Sequence, residues 1–177
     1  MTMLESAKTL LEQKTEGADE LLQNIIIPGI LADADDFMGV RYSRSEAVTE
    51  YFDGGVSTLY LGYVNVSGLT LTENGVTVDP SRYELYAESG RLALLRGLFR
   101  SGRRNIVASY AGGYKEDDLP AALRSKLLKQ IIYEYRRRRD PGLSSVTFPD
   151  GNVQKFQIGE WLPDVEAHLE RRRRIFL

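Results

Sequence analysis

Residues Leu119–Asp140 read LPAALRSKLLKQIIYEYRRRRD and contain the longest helical pattern in the chain. Pro120 suits a first helical turn, where its missing N–H costs no hydrogen bond, and Pro141-Gly142 ends the helix. Apolar residues recur at the spacing of one helix face, at about 3.6 residues per turn. They are Leu123, Leu127, Leu128, Ile131, Ile132 and Tyr135. The pattern predicts a central helix that buries these six side chains in a core.

Two helical patterns precede the central helix, one over residues 2–14 and one from Asp19 to about Met38. Pro28-Gly29 lies inside the second, where we expect a kink or a break. Three aspartates in this pattern superficially resemble a metal-ligand cluster. They are Asp33, Asp35 and Asp36. On a helix they point in different directions, which favours a solvated face over a metal site or a metal-dependent nuclease.

The apolar spacing changes to alternate residues over 47–114, as is typical of strands. Strand patterns cover 48–52, 58–60, 69–71, 76–78, 83–85 and 106–108. Asn74-Gly75 predicts a hairpin because both central positions of its turn take positive φ. Turns at 88–90 and 101–102 predict two more hairpins, the last joining 92–99 to the strand after Arg104.

Two elements are predicted after the central helix. Pro149-Asp150-Gly151 lies between short apolar segments and predicts a hairpin or two short extended arms. A last helix begins near Pro163. The predicted fold is therefore α+β, a small helical bundle around a long central helix with an inserted antiparallel β module. The helical part covers 1–46 and 115–177, and the β module covers 47–114.

Composition places the chain among ordinary globular proteins. It has 177 residues, of which 42% are hydrophobic and 27% are charged. We expect no membrane span, because no apolar run approaches the roughly 18 residues that one requires. The N-terminus lacks a signal-peptide pattern, which favours a cytosolic protein. Cysteine is absent, which excludes disulfides, thiolate metal sites and cysteine nucleophiles.

Charge is distributed unevenly along the chain. Residues 1–90 contain 15 acidic and 5 basic residues, whereas residues 91–177 contain 10 acidic and 18 basic residues. Such a chain suits head-to-tail association between copies or a basic face turned towards a polyanion. Mutual neutralisation of the two halves within one fold is the alternative.

No catalytic constellation is present in the sequence. The one histidine, His168, lies in the last predicted helix and is interpreted as a surface or interface residue. The glycine pairs at 54–55 and 112–113 lack the Lys-Ser/Thr spacing of a phosphate-binding loop. We therefore predict no enzyme, no catalytic residue, no metal and no cofactor.

Two arginine clusters remain to be explained. The first comprises Arg136, Arg137, Arg138 and Arg139, and the second comprises Arg171, Arg172, Arg173 and Arg174. They bind phosphates, pair with acidic residues of another chain, or form solvated helix ends. An apolar tip follows the second cluster and favours docking in a partner's groove. It consists of Ile175, Phe176 and Leu177.

Three segments in a fixed order carry a family resemblance. They are ADELLQNIIIPGILADADDFMGV at 18–40, DDLPAALRSKLLKQIIYEYRRRRD at 117–140 and LPDVEAHLERRRRIFL at 162–177. With the β segment between the first two, this order resembles the head–tail connector (adaptor) proteins of long-tailed bacteriophages. The resemblance covers nearly the whole chain. The β segment is similar to an insertion in larger members and is large beside the smallest ones.

The resemblance implies a structural, non-enzymatic protein of the virion, made in the host cytoplasm. Copies would form a ring, twelve-fold when assembled, between the portal protein and the tail or stopper protein. DNA would pass through the ring without sequence-specific binding, and no membrane would be involved. The arginine clusters and the apolar tip would contact the portal or a neighbouring subunit. The alternative is a small nucleic-acid-binding protein that uses the arginine clusters directly.

Overall fold

The computed structural model describes residues 2–11, 16–137, 145–147, 153–155 and 161–174. The chain divides into two compact units. The helical unit comprises Met1–Phe37 and Pro120–Arg173, and the β unit comprises Met38–Leu119 and Arg174–Leu177. The predicted α+β class is confirmed, because helices and antiparallel sheets occupy separate parts of the chain.

The helical unit is built around one long helix. In chain order its α-helices are α1 (Met3–Leu11), α2 (Glu16–Leu21), α3 (Ile27–Met38), α4 (Ala121–Arg137) and α5 (Pro163–Glu170). Helix α4 packs against α1, α5 and the turn that precedes α3. The core contains buried side chains from each of these elements. They include Met3, Ala7, Leu22, Leu123, Leu127, Ile131, Val165 and Leu169.

The irregularity expected at Pro28-Gly29 lies one turn earlier. Helix α3 continues through Pro28, and a π-helical turn covers Leu22–Ile26. In this turn the Ile27 N–H donates to Leu22 O, five residues back. Proline cannot donate a hydrogen bond, and its ring crowds the carbonyl four residues before it. The wider turn accommodates both effects, so the helix is not broken.

The β unit contains two antiparallel sheets. The four-stranded sheet has the order β1 (Ser45–Phe52), β7 (Ile106–Gly112), β3 (Ser67–Glu73), β4 (Val76–Thr77). The three-stranded sheet has the order β2 (Thr58–Tyr60), β6 (Arg91–Leu94), β5 (Tyr83–Tyr86). Strand β7 buries alternate residues, as a strand with one face in a core does. Both sheets contribute to one apolar cluster, which includes Leu59, Leu71, Leu92, Ile106 and Tyr110.

Two of the three predicted hairpins in the β module are confirmed. Asn74 and Gly75 have φ of 51° and 78°, and they join β3 to β4. The turn at 88–90 joins β5 to β6. It ends on Gly90, where φ is 64° and an added Cβ would lie 2.2 Å from the Tyr63 carbonyl oxygen. A side chain is therefore excluded at Gly90.

The third predicted hairpin, at Ser101-Gly102, is wrong. Strand β6 ends at Leu94 and pairs with β2 and β5, whereas β7 pairs with β1 and β3 in the other sheet. The segment from 95 to 105 is thus a loop between two sheets. A Ser-Gly pair indicates a local turn, but burial of the flanking apolar faces decides which strands pair.

The last two predicted elements are confirmed within the described residues. Strands β8 (Ser145–Thr147) and β9 (Val153–Lys155) pair antiparallel, with Ser145 opposite Lys155. Helix α5 begins at Pro163, whose fixed φ suits a first turn. None of the helices in the described ranges is long and apolar enough to cross a membrane.

Glu50 on β1 provides hydrogen-bond acceptors inside the β unit. Its Oε1 and Oε2 accept from the Gly62 N–H at 3.1 and 3.0 Å. The Tyr110 hydroxyl donates to Oε2 at 2.7 Å. Burial, and then the hydrogen bond to Glu50, raise the pKa of Tyr110 well above its ordinary value. The carboxylate therefore joins the loop after β2 to the central strand β7.

Candidate functional site

The first arginine cluster begins on the last turn of α4. Arg136 is exposed and Arg137 is half-buried. The Arg137 guanidinium lies 5.9 Å from the ring centroid of Tyr133, and its Nη1 donates to the Tyr133 hydroxyl at 3.4 Å. Arg138 and Arg139 lie outside the described residues. Of the two described arginines, Arg136 is the more accessible to a partner.

The second cluster starts where α5 ends. The Arg171 Nε donates to the Ala167 carbonyl oxygen at 3.0 Å, as cations at a helix C-terminus do. The Arg172 Nε donates to His168 Nε2 at 3.1 Å. Burial, and then the charges of Arg172 and Arg171, lower the pKa of His168. His168 thus accepts as a neutral imidazole and has no catalytic partner among the described residues.

A cavity of about 280 Å³ lies in the helical unit, lined by two carboxylates and two aromatic rings. Asp33 and Asp36 are both exposed, one turn apart on α3. Phe37 and Trp161 pack edge to face, with centroids 6.2 Å apart. The Arg173 guanidinium lies 5.7 Å from the Phe37 ring centroid. The aspartates were expected to point in different directions, yet Asp33 and Asp36 share the rim of one cavity.

Arg174 lies in the β unit. Its N–H donates to the Met38 carbonyl oxygen at 2.8 Å. Its guanidinium donates to the carbonyl oxygens of Leu61 and Ser89 and lies 5.7 Å from the ring centroid of Tyr60. Burial lowers the pKa of Arg174. Sequence reasoning treated Arg174 as equivalent to its three neighbours, but its contacts within the β unit set it apart.

The residues of the apolar tip, Ile175, Phe176 and Leu177, lie outside the described residues.

The predicted core residues of α4 fall into two groups. Leu123, Leu127, Ile131 and Tyr135 are buried, and Leu128 and Ile132 are half-buried.

Gln130 is a buried polar residue on the apolar face of α4. Sequence reasoning missed it. It is 1% exposed. Its Oε1 accepts from the Leu162 N–H at 3.0 Å, and its Nε2 donates to Glu134 Oε1 at 3.2 Å. Gln130 therefore fixes the residue that precedes α5. Its position seven residues after Leu123 was the available signal, because that spacing lies on the apolar face.

The four arginines of the loop between β6 and β7 were also missed, because they are not consecutive. They are Arg96, Arg100, Arg103 and Arg104, and all are exposed. The described residues contain no group of three His, Cys, Asp or Glu side chains that could hold a metal ion.

Comparison with known proteins identifies a shared fold. No protein-family model matches the chain, and no curated protein sequence matches it. A chain from "Neck of native GTA particle computed with C12 symmetry" aligns with a TM-score of 0.62 at 12% identity, covering 98% of this chain and 89% of that chain. A chain from "Neck of empty GTA particle computed with C6 symmetry" aligns with a TM-score of 0.59 at 16% identity, covering 100% and 91%. GTA denotes a gene transfer agent, a phage-like particle.

Proposed function

We propose that this chain is a structural subunit of the head–tail neck of a phage-like particle. Copies form a ring beneath the portal and surround the DNA channel without catalysing a reaction. The observation that carries the proposal is the length of the fold match, which covers 98% of this chain and 89% of a neck chain. A match of this extent includes both units, so the β unit is part of the shared architecture.

Ring formation is supported by the symmetry of the similar structures and by the charge of this chain. The two neck structures were computed with C12 and C6 symmetry. Head-to-tail contacts between identical copies close into a ring when the rotation between neighbours closes. An acidic first half and a basic second half favour such contacts between copies.

The portal and the tail or stopper protein are the proposed partners at the two ends of the ring. Ile175, Phe176 and Leu177 are the proposed portal anchor, because an apolar tip suits a groove in a partner. Arg136–Arg139 and Arg171–Arg173 are proposed to meet acidic groups of the portal or of a neighbouring subunit. Arg174 is left out of this set because its guanidinium binds carbonyl groups of its own β unit.

The test is the mass of the purified chain by light scattering after size exclusion, with and without the portal protein from the same genome. A ring-sized particle, or a monomer that joins the portal, supports the proposal. A monomer that ignores the portal but binds DNA would overturn it in favour of a nucleic-acid-binding protein. Such binding would weaken steeply with salt, because each phosphate contact releases counterions.

A further inference from the structure

Residues 95–104, in the loop between β6 and β7, form an exposed basic and apolar surface of the β unit. We call it the arginine loop. It carries four exposed arginines, and beside them Leu95 and Leu98 are 59% and 63% exposed. No strand pairing includes these residues. Leucines this exposed, interspersed with arginines, are typical of a protein-binding surface.

The arginine loop is fixed in place by its main chain. Phe99 is 2% exposed in the core, and its N–H donates to the Val56 carbonyl oxygen at 2.9 Å. The Arg100 N–H donates to Glu73 Oε1, and the Arg104 N–H to Asp53 Oδ1, each at 2.6 Å. The carboxylates of Glu73 and Asp53 thus hold the main chain of the loop. A partner would therefore meet a surface that is already ordered, which lowers the entropic cost of binding.

Three guanidinium groups of the loop are available to a partner. The Arg104 guanidinium lies 4.6 Å from the ring centroid of Tyr51. Those of Arg96, Arg100 and Arg103 form no ion pair within the part of the chain that the structure describes. Arginine recognises carboxylates through two parallel hydrogen bonds. The one aromatic residue of the loop itself, Phe99, is buried.

In the β unit, most carboxylates before residue 91 already accept hydrogen bonds from groups of the same unit. These carboxylates belong to Glu46, Glu50, Asp53, Glu73, Asp79 and Glu84. In the helical unit, Asp33 and Asp36 have no ion pair among the described residues. They line the cavity described above, where Trp161 is buried and the Arg173 guanidinium already lies beside the Phe37 ring. Two exposed carboxylates one turn apart on a helix suit guanidinium groups of a partner, which bond to carboxylates.

We propose that the arginine loop of one copy docks on the Asp33–Asp36 face of helix α3 in an adjacent copy. The proposal rests on the proposed function, since it names the residues of the contact that closes the ring. The contact is head-to-tail, because it joins two different surfaces of the same chain. Leu95 and Leu98 supply its apolar part, and the arginines set its orientation and specificity.

Single charge reversals test the loop. Arg96→Glu, Arg100→Glu and Arg103→Glu are each compared with Lys115→Glu, an exposed cation of the same unit outside the loop. Assembly is followed by light scattering against protein concentration, and folding by circular dichroism. Each loop variant should remain folded and raise the concentration needed for assembly by about tenfold or more, whereas Lys115→Glu should not. Equal assembly by the loop variants and the wild type would overturn the proposal.

Charge exchange tests the other side of the contact. Asp33→Arg with Asp36→Arg should also weaken assembly, and combining this pair with Arg100→Glu and Arg103→Glu should restore at least part of it. Absence of any restoration would mean that the loop meets another surface. If the loop variants instead assemble normally but lose salt-dependent retention on duplex DNA, the loop is a phosphate contact and the proposal is wrong.

Cross-linking locates the contact directly, because the chain has no cysteine. Leu98→Cys with Asp36→Cys should give a covalent ladder of subunits with a short bismaleimide. Either substitution alone should give no product larger than a cross-linked dimer. A wild-type chain that never assembles, alone or with portal, would overturn the proposed function and this contact with it. A wild-type ring without the ladder would overturn the contact alone.

Discussion

Glu50 and Arg174 both bind main-chain groups of the loop that follows β2. Glu50 accepts from the Gly62 N–H and the Tyr110 hydroxyl, and Arg174 donates to the Leu61 carbonyl oxygen. A buried donor or acceptor that loses its partner costs more than the hydrogen bond contributed. These two side chains therefore matter more to the β unit than charged residues usually do.

Glu50→Ala should lower the free energy of unfolding by about 1–3 kcal/mol, because the Gly62 N–H and the Tyr110 hydroxyl lose their acceptor. Urea denaturation measures the change. The matched control is Glu84→Ala, since Glu84 accepts from the Tyr86 hydroxyl at the same 2.7 Å but is exposed. The control should change stability by less than about 0.5 kcal/mol. Equal effects of the two substitutions would contradict the structural role given to Glu50.

Arg174→Ala should destabilise the β unit by about 1–3 kcal/mol, because two carbonyl groups lose a charged donor. Arg171→Ala is the control, since the Arg171 guanidinium bonds one carbonyl at an exposed helix end. Hydrogen exchange of the amides around β2 and β6 reports on the β unit separately from global unfolding. Unchanged exchange in Arg174→Ala would show that the guanidinium is not needed there.

At the scale of elements, helix α4 organises the helical unit through one face. Leu127→Ala or Ile131→Ala should cost about 2–5 kcal/mol, because each removes methyl groups from a buried site and leaves a cavity. Leu128→Ala, at a half-buried position next to Leu127, should cost clearly less. Denaturant melts of the three variants distinguish a buried face from a solvated one. Similar costs at all three positions would show that Leu128 is as much a part of the core as Leu127 and Ile131.

Helices α4 and α5 are also joined by ion pairs. Lys126 and Lys129 on α4 bond the Asp164 carboxylate on α5 at 2.8 and 2.9 Å, and these bonds hold its pKa at about 2. An unfolded chain gives this carboxyl a pKa of about 3.9. The stabilisation is therefore present above about pH 4 and is lost as the pH falls through 2.

Asp164→Asn should abolish this part of the pH dependence. Unfolding of the wild type and the variant, followed by circular dichroism from pH 5 to pH 2, should show the wild type losing its advantage as the pH falls. Lys129→Met, which removes one partner, should show an intermediate slope. Parallel curves for the wild type and Asp164→Asn would contradict the assignment.

Local signals explain which elements the sequence could predict. Asn74-Gly75 and the 88–90 turn require positive φ, which few residues adopt, so these hairpins were predicted. The helical spacing around Leu127 likewise predicted α4. By contrast, β7 pairs with β1 and β3, whose residues lie 33 to 67 positions away in the chain. Such pairing depends on which apolar faces are buried together, and short-range patterns do not encode it.

The same limit explains the candidate site. The spacing of Asp33 and Asp36 placed them on a helix, but their position beside Trp161 depends on a residue 125 positions away from Asp36. The contacts of Arg174 with Leu61 and Ser89 are equally remote. Four consecutive arginines look alike in the sequence. They differ only because the chain leaves α5 after Glu170 and each side chain then meets different groups.

At the scale of the whole molecule, the C-terminal residues pass from the helical unit to the β unit between Arg173 and Arg174. Residues up to Arg173 belong to the helical unit, and Arg174 bonds groups of the β unit. The proposed portal anchor begins immediately afterwards. Folding and docking should therefore be separable by changes only one residue apart.

Two truncations test this separation. A chain that ends at Arg174 should keep its free energy of unfolding within about 0.5 kcal/mol of the wild type, because the Arg174 bonds remain, and should lose binding to portal protein in a pull-down. A chain that ends at Arg173 should lose a further 1–3 kcal/mol or so, because the guanidinium is removed. Replacing Ile175, Phe176 and Leu177 by serine controls for the new terminal carboxylate. Portal binding that survives in this serine variant would contradict the anchor, whatever the stability of the truncated chains.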